Sequence, residues 1–329
     1  AAESRSKHKC QGFGSTGTRG MQMEYLELLK GDLPPSKEDV FEGINTTWTR
    51  VEGGEPVKIL LEKVIAQYDF KNPSASLPLL VQVYAAIQKT KDPFWKEIKT
   101  NELKEIIAAC AGMYLEAKSN VHKATKGEFI NIDIEVINRL PVEASLLSIK
   151  GHEIIIDTTV DLKMVTNEPF KWSKQVQIPA ITKYTAPYWL VNKGSLGLYN
   201  VEDQSIIGNP ETKRDLKVTF LMNVSGVDIE FTKDLVYKFN SPEYGETFRP
   251  LEIVPAFSVK VKEPVYIFAS NQTKDIKVSV YAWAKDMKGT LSVPVPNGWK
   301  VSPESIDFSI ANKGEHKDFT FAITPPETT

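Results

Sequence analysis

The run Lys126-Gly127-Glu128-Phe129-Ile130-Asn131-Ile132-Asp133-Ile134-Glu135-Val136 decides the fold. Ile130, Ile132, Ile134 and Val136 alternate with Asn131, Asp133 and Glu135. A two-residue period puts every aliphatic side chain on one face of a strand and every polar one on the other. Before this run the period is helical. Val57, Leu60, Leu61, Val64, Ile65 and Tyr68 recur at three- and four-residue spacings, one stripe of an amphipathic helix. The change falls at Lys126-Gly127 and is expected to divide a helical part from a β part.

Upstream, Asn72-Pro73-Ser74 breaks the first helix, and Ser74 or Ser76 is placed to cap a second, with Pro78 in its first turn. That helix carries Leu80, Val81, Tyr84 and Ile87 inward. A third follows Asp92-Pro93 and runs through Leu103, Ile107, Cys110 and Tyr114. Short connections predict a small antiparallel helical bundle over 44–125. Residues 1–43 read as an irregular polar loop or linker, with one apolar-periodic piece, Met23–Leu29, ahead of the breaker Gly31-Asp32-Leu33-Pro34-Pro35.

Downstream, strand-like runs recur at Glu153–Val160, Leu216–Val224, Val227–Phe239, Phe257–Val261, Val265–Ala269, Ile276–Trp283 and Ser305–Ile310. Lys150-Gly151, Gly208-Asn209-Pro210, Ser225-Gly226, Lys288-Gly289, Asn297-Gly298 and Lys313-Gly314 supply turns between them. Many short strands without intervening helices argue antiparallel sandwiches of about 100 residues each, so roughly 200 residues predict two in series. The expected class is α+β multidomain: a helical bundle, a β-sandwich over 126–250 and an Ig-like sandwich over 251–329. The break is expected near Pro250–Pro255, beyond the turn-formers Ser241 to Gly245.

Composition narrows the function. The 329 residues are 41% hydrophobic and 25% charged, which excludes wholesale disorder. Forty Lys and Arg against 42 Asp and Glu leave a net charge of −2, without the electrostatic footprint of a nucleic-acid binder. No stretch approaches the roughly 18 apolar residues of a membrane helix, and no basic-then-apolar signal peptide opens the chain. The sequence opens at Ala1-Ala2-Glu3 without Met, and is expected to be a piece of a longer protein. Cys10 and Cys110 cannot make a disulfide framework; Cys110 reads as a buried thiol.

No catalytic constellation stands out. Gly12-Phe13-Gly14-Ser15-Thr16-Gly17 matches G-x-G-x-x-G, but the dinucleotide motif needs a buried strand before it, and the preceding residues are basic and polar. The loop reads instead as a flexible connection, or as a contact in which Arg5, His8 and Gln11 meet an anionic or sugar substrate held by a neighbouring domain. His8, His122, His152 and His316 are dispersed, with no His-x-x-His, His-Glu-x-x-His or Cys-x-x-Cys, so no metal site is expected. Nor is there a Gly-x-Ser-x-Gly elbow. The remaining candidates are aromatic. Trp172, Tyr188 and Trp189 are glycan-stacking candidates, since sugar faces stack on exposed rings; the competing reading places them in the core.

Ser4-Arg5-Ser6-Lys7-His8-Lys9-Cys10-Gln11-Gly12-Phe13-Gly14 resembles the segment that follows the catalytic domain in long bacterial PIG-L (LmbE-like) N-acetylglucosaminyl deacetylases. Ala124-Thr125-Lys126-Gly127, Ile137-Asn138-Arg139 and Tyr184-Thr185-Ala186-Pro187-Tyr188-Trp189-Leu190 resemble later elements of the same proteins. The last stretch, with Pro296-Asn297-Gly298-Trp299, Phe319-Thr320-Phe321 and Pro325-Pro326, is similar to the Ig-like module appended to alpha-galactosidases. Together the resemblance spans most of the chain. It implies a metal-dependent N-deacetylase acting on N-acetylglucosamine-type glycans outside the cell or in the periplasm. The family's His-Pro-Asp-Asp metal motif is not in this sequence. Zinc or another divalent metal is therefore expected in an upstream deacetylase domain, the expected partner, and this chain is expected to hold no cofactor and to serve domain orientation or glycan binding. A stand-alone carbohydrate-binding or adhesion module and an inert spacer are the rival readings.

Overall fold

The computed structural model describes residues 2–13, 17, 19–21, 23, 25–36, 39 and 41–327. The chain divides into two compact units, Ala1–Arg50 and Val51–Thr329.

The first unit is less irregular than its sequence suggests. Helix α1 (Ala2–Lys7) has Glu3 in its first turn and Arg5 and Lys7 in its last, the order that complements the helix dipole. Lys7 Nζ also lies 3.2 Å from Glu3 one turn back. Single helical turns follow at Lys9–Gln11 and Trp48–Arg50. The described residues of Met23–Leu29 form no helix, and Met23, Tyr25, Leu26 and Leu29 are exposed.

The second unit begins with helices α2 (Glu55–Gln67), α3 (Leu77–Gln88) and α4 (Pro93–Ala111), each with proline in its first turn. Helix α3 packs against both neighbours and buries Leu80, Val83 and Ile87. Ser76 occupies the capping position of α3 without making a capping bond, whereas Asp92 caps α4 by accepting from the N–H groups of Phe94 and Trp95. Helix α4 stops earlier than its apolar period predicts. Gly112 takes a left-handed φ of 66° and its N–H returns to the carbonyls of Ala108 and Ala109, ending the helix. Tyr114, expected on that helix, lies instead on strand β1 (Met113–Ser119).

The rest is mostly β-sheet. Next come β2 (Lys123–Ala124), β3 (Phe129–Asn138), β4 (Ala144–His152), β5 (Asp157–Lys163) and β6 (Phe170–Gln177). After a long connection follow β7 (Lys217–Val224), β8 (Val227–Asp234), β9 (Val236–Ser241), β10 (Gly245–Pro250) and β11 (Glu252–Ile253). Then come β12 (Phe257–Val261), β13 (Lys274–Ala282), β14 (Met287–Ser292), β15 (Lys300–Ser302), β16 (Ser305–Ile310) and β17 (His316–Thr324).

Strand β3 alternates as its sequence predicts, with Ile130, Ile132, Ile134 and Val136 all at 1% exposure or less. It sits in a five-stranded sheet of order β10-β9-β1-β3-β6, and a four-stranded sheet runs β5-β4-β7-β8. Pairing within both is antiparallel except between β1 and β9. The run Val227–Phe239 reads as one strand but breaks at Leu235, where the chain leaves one sheet for the other. Residues Ser241–Gly245 turn a hairpin within the five-stranded sheet, and β11 then pairs in parallel with β2.

The last sheets are β12-β13-β17-β15 and β14-β16. They share one apolar cluster, in which Ile276, Val278 and Val280 of β13 and Phe321 of β17 meet Leu291 of β14 and Phe308 and Ile310 of β16. Residues Val265–Ala269, expected as a strand, have no ladder partner; Tyr266 and Phe268 pack on that cluster, and Phe268 lies edge-on to Trp299 at 5.0 Å. Their alternation comes from covering a core, not from pairing. Among the described residues no helix is long and apolar enough to cross a membrane.

Candidate functional site

Arg5, His8 and Gln11 fall on α1 and the turn after it. The Nδ1 of His8 is 2.7 Å from the Ser4 carbonyl one helical turn back, and its ring stands edge-on to Phe13 at 6.2 Å. Arg5 is half-buried because its guanidinium lies against Gly17, where a Cβ would stand 2.5 Å from Nη1. Gln11 is exposed in the helical turn that Gly12, at φ 89°, terminates. The element before the glycines is a helix, not the strand a dinucleotide site requires. Gly14, Ser15 and Thr16 of the motif lie outside the described residues.

Trp172 is on β6 directly opposite Ile134, so it shares the buried face of the five-stranded sheet and is half-covered by it. Tyr188 and Trp189 form a helical turn in the connection between β6 and β7, with their rings edge to face at 4.9 Å, both half-buried. The structure brings these two together and leaves Trp172 in a separate element.

The connection from Ile178 to Leu216 is built as a finger. At its root, Thr185 exchanges two bonds with Ile253: its N–H donates to the Ile253 carbonyl at 2.8 Å, and its Oγ1 accepts from the Ile253 N–H at 3.0 Å. Thr212 Oγ1 donates to the Ala186 carbonyl and accepts from the Tyr188 N–H, each at 3.0 Å. Higher up, the Gly208 N–H donates to Tyr188 Oη at 3.1 Å, and Asn192 Nδ2 donates to Glu202 at 3.2 Å. The tip closes between Ser195 and Leu198, whose N–H groups donate to each other's carbonyls. Two glycines permit that tip. A Cβ on Gly194 would stand 2.6 Å from the Leu198 carbonyl oxygen, and Gly197 adopts a φ of 81°.

Two polar clusters were invisible along the sequence. One joins the last sheets to the rest of the unit. Lys313 Nζ donates to Glu128 Oε1 at 2.5 Å and to the Lys123 carbonyl at 2.8 Å, while Lys123 Nζ sits 4.3 Å above the Trp283 ring. His122 adjoins this junction, its ring 5.6 Å from Tyr237; burial and then the cations Lys123, Arg249 and Lys313 depress its pKa. The Lys-Gly dipeptides at 126 and 313 mark the turns involved but not their meeting.

The other cluster crosses β1, β9 and β10. Glu116 is only 6% exposed, and its Oε1 accepts from Tyr114 Oη at 2.6 Å and from Lys238 Nζ at 2.9 Å. Lys238 also reaches Glu246 at 3.1 Å. Burial pulls the Lys238 pKa down, but the bonds to Glu116, Glu246 and Tyr114 outweigh it and the value rises. Burial, then the bond to Glu116, raises that of Tyr114. Glu116 Oε2 has no hydrogen-bond partner. Only the Glu116 end of this ion-pair network is buried; Glu246 stays half exposed. Among the described residues no three His, Cys, Asp or Glu side chains converge as a metal-binding group.

No protein-family model and no curated protein matches the chain. Among solved structures, red sea bream transglutaminase is similar over 68% of this chain at 11% identity, with a TM-score of 0.28. The chain spans 29% of that protein's length. A likeness of that size assigns neither a fold family nor an activity.

Proposed function

We propose that this chain is a non-catalytic accessory region of a secreted PIG-L-like N-deacetylase acting on N-acetylglucosamine-type glycans, and that it holds domains in a set orientation. In this reading the helices form a small bundle, and the sheets form two antiparallel sandwiches, the second Ig-like. The observation that carries the orienting role is the junction. Lys313, Glu128, Lys123 and Trp283 tie the last sheets to β2 and β3, while Thr185 and the β2–β11 pair tie Ile253 to the β6–β7 connection and to β2. A charge-assisted bond, a cation–π contact and ladder pairing at one seam resist bending in several directions. The zinc or other divalent metal of such an enzyme does not fit the side chains described here, since no ligand group of three converges, and no step is assigned to it in this chain.

The test is an assay of the isolated chain with zinc on N-acetylglucosamine derivatives. No turnover is expected; metal-dependent release of acetate would overturn the reading. Glycan binding, the other accessory role, is supported by Tyr188 and Trp189 lying side by side, and Trp189→Ala is expected to weaken whatever signal the chain gives on a glycan array.

A further inference from the structure

We propose that the finger between β6 and β7 is a self-association surface, and that its occupant is the same finger of a second copy of this chain. Connections this long with only single helical turns and one bridge are uncommon, and those held in order are usually binding elements. Here three successive rungs (Tyr188–Gly208, Asn192–Glu202, Ser195–Leu198) hold the finger in shape. The glycines at 194 and 197 make a tip that presents Leu196 to solvent, fully exposed.

The surface so displayed is apolar. Leu190, Val191, Leu196, Leu198, Tyr199 and Ile207 are all more than half exposed. Scattered exposed leucines need no explanation, but six such residues between Leu190 and Ile207 concentrate apolar surface in one braced segment. At on the order of 100 Å² each, they offer ~600 Å². That approaches the ~800 Å² per partner of a stable interface, and a rim of finger backbone supplies the rest.

Charge decides between occupants. From Tyr188 to Gly208 the charged residues are Lys193, Glu202 and Asp203, one cation against two anions. That balance lacks the basic cluster that draws a protein to an anionic bilayer. It suits a two-fold contact, in which a surface meets itself: Lys193 and the acidic pair lie on opposite limbs, so each copy offers the other both signs. Two-fold homodimers are also the commonest assembly. This inference stands apart from the deacetylase reading, because it uses neither the family resemblance nor any glycan.

Sedimentation equilibrium of the full chain tests it. The mass is expected to rise from 36.9 kDa toward twice that value as concentration increases to about 100 μM. Leu196→Asp and Leu198→Asp are each expected to weaken association at least tenfold, with thermal unfolding of the monomer unchanged, since both side chains are exposed. A wild type that stays at 36.9 kDa throughout overturns the proposal, as do variants that associate like wild type. So does wild type that remains monomeric but pelleting with phosphatidylcholine vesicles in a Leu196-dependent way, which would give the finger to a lipid surface.

Discussion

Glu116 and Lys238 illustrate what single residues do here. A carboxylate this buried is tolerable only with a cation against it, and Lys238 is a partner from 122 positions along the chain. Lys238→Met would leave Glu116 desolvated and facing a phenol alone. Because Lys238 keeps 21% of its side chain exposed, solvent screens part of the loss. The expected cost in urea unfolding at pH 7 is about 1–3 kcal/mol. Its pH dependence is specific. Lys238 and Tyr114 both have raised pKa values in the folded state. Such groups favour folding fully below their unfolded pKa, ~10 to 10.5, and that contribution is lost as pH rises through the folded value. The stability gap between wild type and Lys238→Met should therefore hold from about pH 6 to 9 and narrow above about 10.5. A gap unchanged at strongly alkaline pH would contradict this account.

Elements obey the periodicities well and their ends poorly. The alternation through Ile130 and Val136 and the start of the helical stripe at Val57 and Leu60 depend on neighbours in sequence, but the stripe fails at Ile65, 74% exposed, and at Tyr68, beyond the end of α2. Helix α4 ends at Ala111 because Gly112 caps it, and Met113–Ser119 becomes a strand because β3 and β9 flank it. Its own alternation, Leu115 and Ala117 against Glu116 and Lys118, was legible but stood behind a helical pattern that continued to Tyr114. The start of α4 is simpler. Asp92 accepts two backbone N–H bonds at 3.0 and 3.1 Å, and Asp92→Ala is expected to cost about 1 kcal/mol, measured by urea denaturation. Asp92→Asn should keep most of that stability, since its amide oxygen caps equally well. Equal loss in both variants would show that the acid's charge, not its hydrogen bonds, holds the turn.

At the scale of the molecule, the junction joins the last sheets to β2 and β3 through Lys313, Glu128, Lys123 and Trp283. Lys313 lies in a turn of the last sheets and Glu128 at the head of β3, and both are about three-quarters buried. Lys313→Ala removes two bonds at once and is expected to cost about 1.5–3 kcal/mol, the range for bonds to a charged group. It should also uncouple the last sheets, so that calorimetry resolves two unfolding transitions where wild type shows fewer. Glu128→Gln, combined with Lys313→Ala in a double-mutant cycle, should show a coupling energy above about 0.5 kcal/mol. Full additivity would mean that the contact does not bear on the junction.

What the sequence by itself determined is the local pattern: helices first and strands after them, though β1 and β2 precede Lys126-Gly127, inside the stretch that reads as helical. It also excluded the familiar catalytic and metal motifs, because those are spelled in nearby residues. Tertiary structure alone decided which strands meet, that β9 joins β1 in parallel while β8 stays in the other sheet, and that Lys238 finds Glu116 and Lys313 finds Glu128. It also braced the segment between β6 and β7 into a finger, through bonds spanning up to 26 residues. The reason is physical. Propensity and period act over one or two turns of chain, whereas pairing and burial depend on partners that sequence separation does not reveal.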